Sequence, residues 1–316
     1  MRVTCFGELL IDMVSPTPDA ALGDATNFIK APGGAPANVA VGVKRLGIES
    51  AFVGSVGDDP FGHALRDMVG QEGVDVSGVK LSETRTTIAF IATRSDGSKD
   101  ISFYRNPGAD ADFTTKDLPD LRRTSIFHCG SVSLSLDPCR SAQFEAAQRV
   151  RSNGGLISFD PNWRPSLWSD FDLARKQIWQ MMELSDVVKV ADEEWEFVTG
   201  TSSFEEGCRR MRAVGPRLVL QTRGANGAAW EFEDAQGEIA GRVVNAIDTL
   251  GAGDAFVAGF LSTIARAGSL DAILNPNELS DMLRFANACG ALTTQKKGAI
   301  PALPTREEVV EFLDES

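Results

Sequence analysis

Asp248-Thr249-Leu250-Gly251-Ala252-Gly253-Asp254 is the stretch on which the architecture of this chain turns. It runs on to Ala267, with Phe256, Phe260 and Ile264 at helical spacing, and Gly268 closes the run. A glycine-rich turn therefore opens a buried helix. Small residues there let the backbone approach a ligand closely. The unpaired N–H groups of the first turn, with the positive end of the helix dipole, form an anion site. Asp254 stands beside it. Phosphoryl transfer needs a base near the attacking hydroxyl and donors around the moving phosphoryl group, and this segment offers both. Taken alone, Gly-x-Gly-Asp also fits a plain helix start whose acidic residue suits the dipole. The preceding Asp-Thr makes the whole string much rarer.

Outward from this stretch, apolar runs over 3–11, 51–56, 156–160, 186–190 and 218–222 read as strands. The stretches 37–46 and 60–72 read as helices, ending at Gly47 and Gly73, with Pro60 opening the second. The alternation predicts an α/β fold: a mostly parallel central sheet with helices on both faces. Two segments depart from it. Residues 12–30 are irregular and rich in Pro, Thr and Asp. Residues 87–93 and 100–104 read as strands joined at Arg94-Ser95-Asp96-Gly97-Ser98, whose Asp-Gly is a turn signal. Such a hairpin is either a plain surface feature or a small sheet covering a site at the strand ends. The expected division is a large domain over 1–12, 31–85 and 111–316 and a small β lid over 13–30 and 86–110.

The 316 residues are 43% hydrophobic and 24% charged, ordinary for a globular chain. The net charge of −13 disfavours nucleic acid and anionic membranes as partners. No apolar run is long enough to span a bilayer. The first one is interrupted by Glu8 and reads as a strand rather than a leader, so cytoplasmic residence is expected. The five cysteines form no Cys-x-x-Cys pair, which argues against structural zinc. Two histidines, His63 and His128, leave little for His-based chemistry. No P-loop is present, and no Gly-x-Gly-x-x-Gly follows the first strand, which counts against a dinucleotide-binding dehydrogenase.

The 248–254 string resembles the second signature of the ribokinase-like (PfkB-type) sugar kinases. Gly33-Gly34-Ala35-Pro36-Ala37-Asn38 resembles their first signature, in the correct order, and the resemblance spans nearly the whole chain. It implies a ribokinase-like fold and transfer of a phosphoryl group from ATP, with Asp254 as catalytic base and Gly251, Ala252 and Gly253 as the anion hole. It places Asp12, Gly33, Gly34 and Asn38 at the sugar hydroxyls. It makes the hairpin a lid, with Phe90 and Phe103 presenting apolar faces to the sugar and Arg105 reaching a hydroxyl; Tyr104 should point to the other hairpin face. Asn162 and Arg164 match an Asp-x-Asn-x-Arg segment, and Arg164 suits either the far end of the sugar or a phosphate oxygen.

On the nucleotide side, Lys189, Thr222, Gly224, Gly227 and Asn287 match positions near the phosphates, ribose and adenine. The family usually has Asn-x-x-Glu where this chain has Ala191-Asp192-Glu193-Glu194. Glu194 is then expected to hold Mg²⁺ through water. Asp248 and the 294–298 loop match a region where many relatives bind K⁺. Within the family, the segments 102–110, 128–131, 137–141 and 160–164 look most like fructokinases, so D-fructose is the expected small-molecule substrate, phosphorylated at O6. The competitors are 2-keto-3-deoxygluconate, which calls for Arg and Tyr contacts, and, less favoured, ribose or a nucleoside. A catalytically silent binding protein is the alternative outside the kinases. A homodimer through the lid is a further expectation.

Overall fold

Thirteen strands, the central ones short Val-, Ile- and Phe-rich runs, form among the residues that the computed structural model describes, 1–17, 19–94, 99–106, 108–233 and 235–315. In chain order they begin with β1 (Arg2–Phe6), β2 (Leu10–Val14), β3 (Ile29–Gly33), β4 (Glu49–Gly57), β5 (Asp75–Ser82), β6 (Ile88–Thr93) and β7 (Lys99–Tyr104). They continue with β8 (Ile126–Cys129), β9 (Leu156–Phe159), β10 (Val187–Ala191), β11 (Leu218–Thr222), β12 (Ala228–Phe232) and β13 (Ala235–Ile239).

Nine of them make one sheet in the order β13-β12-β11-β10-β9-β8-β1-β4-β5. Every pairing from β5 to β11 is parallel, and only the β11–β12 and β12–β13 pairings are antiparallel. Parallel strands are covered on both faces, so their side chains are apolar on both. Two hydrophobic clusters flank the sheet accordingly, one around Phe52, Phe260 and Leu283, the other around Phe127, Phe159 and Trp195. The strand order reverses between β1 and β8. In an open parallel sheet that reversal leaves a crevice beyond the carboxyl ends, where ligands bind. The residues following β1, β8, β9 and β10 all open onto it.

The remaining four strands form a small sheet in the order β3-β2-β6-β7. Here the observed elements correct the sequence reading. The strand expected over 3–11 is two strands, because the chain breaks at Gly7, with φ of 153°. A Cβ there would lie 2.6 Å from Pro36 Cγ, so a side chain would drive the turn off the next helix. Asp12 therefore lies inside β2, not after the first strand. The segment expected to be irregular over 12–30 is irregular only in its middle; its ends pair in β2 and β3. Pro32 is tolerated because β3 is an edge strand. The 95–98 portion of the expected turn lies outside the described residues.

Candidate active site

Two helices bring the candidate residues together. Ala35–Arg45 follows β3 with Pro36 in its first turn, and Ala252–Ala267 follows the glycine-rich string. They cross closely at Gly42, where a Cβ would lie 2.7 Å from that of Ala258. This approach sets their first turns side by side. Asn38 Nδ2 donates to Asp254 Oδ2 at 2.7 Å, joining positions 216 residues apart. Asp12 enters from β2. A Cβ on Gly33 would come within 2.7 Å of Asp12 Oδ1, so the carboxylate lies directly over that glycine. Asp12, Asn38 and Asp254 are all more than nine-tenths buried.

The other wall comes from the ends of β9 and β10. Lys189 Nζ pairs with Asp160 Oδ2 at 3.1 Å, both buried. The ammonium also overlooks the glycine string: a Cβ on Gly253 would meet Lys189 Nζ at 3.5 Å as its nearest neighbour. Burial works against the lysine's charge, yet Asp160, Glu194 and Asp254 outweigh it and push its pKa up. Burial raises the Asp254 carboxyl, and Asp160 adds to that, while the Asn38 amide, Lys189 and Arg164 oppose it. A carboxyl whose pKa is raised by burial, beside a cation and the start of a helix, can take part in proton abstraction coupled to phosphoryl transfer.

Asn162 is in the left-handed region with φ of 43°, a conformation that asparagine tolerates better than most residues. Its loop is held by Glu194. The Glu194 carboxylate accepts from Trp163 N at 2.6 Å and from Ala191 N at 3.0 Å. It is buried, and burial followed by Asp160 raises its pKa against Lys189 and those two amides. Arg164 is half-buried and donates to Trp163 O at 3.3 Å. Asp192, Glu193 and Glu196 are exposed at the start of the helix Asp192–Thr199.

A second group lies along the same sheet. Thr222 is the register partner of Ala191. Gly227, with φ of 95°, lets its turn close against the 239–241 segment, where any Cβ would collide with the Ile239 carbonyl. Asn287 Nδ2 reaches within 3.5 Å of Ala240 O. Gly224 also has a positive φ, and no atom stands within 4 Å of its Cβ position. Asp248 staples the glycine string to the loop opposite, accepting from Leu250 N and from Gly298 N at 2.9 Å each. Gly251, with φ of 79°, packs its Cα face on Ala299.

Two lid residues are not where the sequence reading puts them. Phe90 is the register partner of Ser102, and Phe103 that of Ala89, so the two phenylalanines lie on opposite faces. Phe90 shares its face with Tyr104 and packs edge-on against it and against Phe28, at 5.1 and 5.0 Å between ring centroids. Phe103 shares the face of Ala89, the register partner of Asp12. The Arg105 guanidinium is buried on Asp110 Oδ2 at 2.6 Å and on Ser135 Oγ, instead of lying open to a hydroxyl. Both histidines are engaged structurally, His63 with Asp58 and His128 with Ser158. Burial pulls the His128 pKa down to about 4, keeping it neutral.

The sequence profile described as pfkB family carbohydrate kinase matches residues 1–306. The chain belongs to the pfkB family of carbohydrate kinases. It is 44% identical over 315 residues to the probable fructokinase-2 of Arabidopsis thaliana, covering 98% of this chain and 95% of that one. Among solved structures it resembles fructokinase with bound ATP from Xylella fastidiosa, at TM-score 0.91 and 36% identity, over 99% of this chain and 98% of that one. It also resembles a fructokinase double mutant from Vibrio cholerae O395 in fructose, ADP and potassium ion bound form, at TM-score 0.89 and 36% identity with the same coverage. This pfkB enzyme is thus a phosphotransferase acting on a sugar hydroxyl. Asp160 and Glu8 belong to the site's surroundings and were not singled out from sequence. In the sequence Asp160 is only the first residue of the Asp-x-Asn-x-Arg segment, and Glu8 only a break in an apolar run.

Proposed function

We propose that this pfkB kinase moves the γ-phosphoryl group of ATP to O6 of D-fructose, with Asp254 as general base. The observation that carries this reading is the Asn38–Asp254 hydrogen bond beside the open first turn of the Ala252–Ala267 helix, with Lys189 overlooking it. The fructokinase relatives, one of them solved with ATP and one with fructose, ADP and potassium, support the substrate pair.

In this reading Asp12, Gly34 and Asn38 orient the sugar, and Phe103 bounds it from the small sheet. Asn162 and Arg164 reach its far end or a phosphate oxygen. Asp254 takes the proton of the attacking hydroxyl as the O–P bond forms and the bond to the leaving ADP oxygen breaks. The first-turn amides at Gly251, Ala252 and Gly253 and the Lys189 ammonium stabilise the charge that develops. Thr222, Gly224, Gly227 and Asn287 border the nucleotide. When bound, Mg²⁺ would offset the negative charge of the phosphates. Among the described residues no cluster of three His, Cys, Asp or Glu side chains forms a metal cage. Glu194 would hold Mg²⁺ through water. The Asp248 staple is the place for K⁺.

Against 2-keto-3-deoxygluconate, Arg105 is committed to Asp110, and Tyr104 is 69% exposed on the Phe90 face. A lid-mediated homodimer and residence in the cytoplasm complete the proposal. All five cysteines are free and buried, which suits a reducing compartment. The test is ADP release from ATP and Mg²⁺, with and without K⁺, across fructose, ribose, 2-keto-3-deoxygluconate, adenosine and fructose 6-phosphate. Fructose should have the highest kcat/KM and yield the 6-phosphate; a preference for the keto acid would overturn the substrate assignment. Asp254→Asn should lower kcat by roughly two to four decades while leaving fructose affinity nearly unchanged.

A further inference from the structure

The turn between β1 and β2 carries a carboxylate that the mechanism above does not use. Glu8 is 4% exposed. Its Oε1 accepts from Ala35 N at 3.0 Å, and its Oε2 is buried with no hydrogen-bond partner. Ala35 is the first residue of the helix that presents Asn38. That helix has no side-chain cap of its own, because Gly34 precedes it. Glu8 supplies the missing acceptor from 27 residues away, with a carboxyl at the positive end of the helix. The fit is close: a Cβ on Gly34 would lie 2.9 Å from the Glu8 carbonyl carbon. One turn further, Asn38 N donates to Gly34 O at 2.9 Å and Asn38 Nδ2 to Asp254.

We infer that Glu8 is a positioning residue, whose carboxyl fixes the first turn of the Ala35–Arg45 helix and, through Asn38, the orientation of the Asp254 carboxylate. This rests on Asp254 as the base. The same carboxyl ties the helix to the turn that leads into β2. Asp110 and Arg105 face it, Asp110 also accepting from Thr87 where the chain enters β6, and the Cys139 thiol lies close by. Burial, reinforced by Asp110 and opposed by the Glu8 and Ala35 amides and by Arg105, raises the Glu8 pKa to about 7. The carboxyl therefore changes charge in the range where the enzyme would be assayed, while its contact to Ala35 needs only an acceptor oxygen.

A double-mutant cycle on kcat tests this, using Glu8→Gln, Glu8→Met and Asn38→Ala at saturating fructose and ATP. Glu8→Gln keeps an acceptor and should hold kcat within about three-fold; Glu8→Met strands the Ala35 amide and should lose about ten-fold. On top of Asn38→Ala, Glu8→Met should cost nothing more, because the route to Asp254 is already cut. An equal Glu8→Met loss in both backgrounds would mean a general structural role and overturn the inference. If Glu8→Met fails to fold, the pH profile decides. The parent-to-Glu8→Gln ratio of kcat should change by up to about three-fold between pH 6 and pH 8, because the charged carboxylate is the stronger acceptor, and a constant ratio would refute the assignment. Full turnover by Asp254→Asn sinks the base reading even where Glu8 and Asn38 couple; additive losses with an inactive Asp254→Asn sink the Glu8 inference alone.

Discussion

Gly253→Ala separates catalysis from folding more sharply than removal of the base does. Gly253 is the second residue of the Ala252–Ala267 helix, and its φ is not positive. The new methyl would meet only Lys189 Nζ, at 3.5 Å, an ordinary contact. Alanine inside a helix is favoured over glycine by about 0.5–1 kcal/mol. The folded enzyme should thus be at least as stable as the parent. The methyl, however, fills the space between the first-turn amides and the Lys189 ammonium. An oxygen of a transferring phosphoryl group, bonded to that ammonium at about 2.8 Å, needs the same volume. Losing one such stabilising donor costs about 10²–10³ in kcat. The expected result is therefore a drop in kcat of at least about a hundred-fold with an unchanged or higher Tm, measured by coupled ADP release and thermal unfolding. Gly251→Ala is the contrast. With φ of 79° and its Cβ position 2.7 Å from that of Ala299, it should lose stability as well as turnover. A Gly253→Ala enzyme within about three-fold of the parent kcat would refute the anion-hole reasoning, as would a loss that tracks a fall in Tm.

Gly33→Ala should displace the Asp12 carboxylate that covers it and raise the fructose KM about ten-fold, leaving the KM for ATP nearly unmoved; a selective rise in the ATP constant would contradict this. The raised Asp254 pKa means that kcat falls as pH drops through it, since the base must be deprotonated to act. The acid limb of the kcat profile should start above the ordinary carboxylate range, and a flat profile down to pH 4 would count against it. For stability the sign follows from Glu8. Its folded pKa, about 7, lies above its ordinary 4.5, so the folded protein holds this proton more tightly than the unfolded chain does. That contribution is full below pH 4.5 and is lost as pH rises to about 7. Urea unfolding at pH 5 and pH 8 should show Glu8→Gln gaining on the parent at the higher pH, and an equal difference at both would show that Glu8 does not titrate there.

The parts legible in the sequence are those set within one element. The 248–254 string is seven consecutive residues, and its geometry follows from where a helix begins. The parallel sheet follows from runs such as Val187-Val188-Lys189-Val190, apolar on both faces. Lys189 is legible only through the family resemblance. Its partner Asp160 was not, since the pairing depends on β9 and β10 lying side by side. Phe90 departs from the expected face for a related reason, while Phe103 does not. Side chains alternate across a strand, so the face each residue takes depends on the hairpin's register. Both phenylalanines fit either face by composition. The pairing Phe90 with Ser102 decides it, and composition alone does not give that pairing.

Glu8 carries the same reasoning one step further. In sequence it is an acidic residue that interrupts an apolar run, and such a residue ordinarily marks a turn open to water. What makes it buried is the close packing of its turn against Gly34 and Pro36, which only glycine at positions 7 and 34 permits. Each of those glycines has a positive φ and leaves no room for a side chain. The first signature's paired glycines therefore have two duties. Gly33 makes room for Asp12, and Gly34 makes room for the Glu8 backbone, so one dipeptide holds the Asp12 carboxylate on one side and the turn that carries Glu8 on the other. A substitution at either glycine disturbs a different carboxylate, and the site depends on both being held by backbone rather than by side-chain packing.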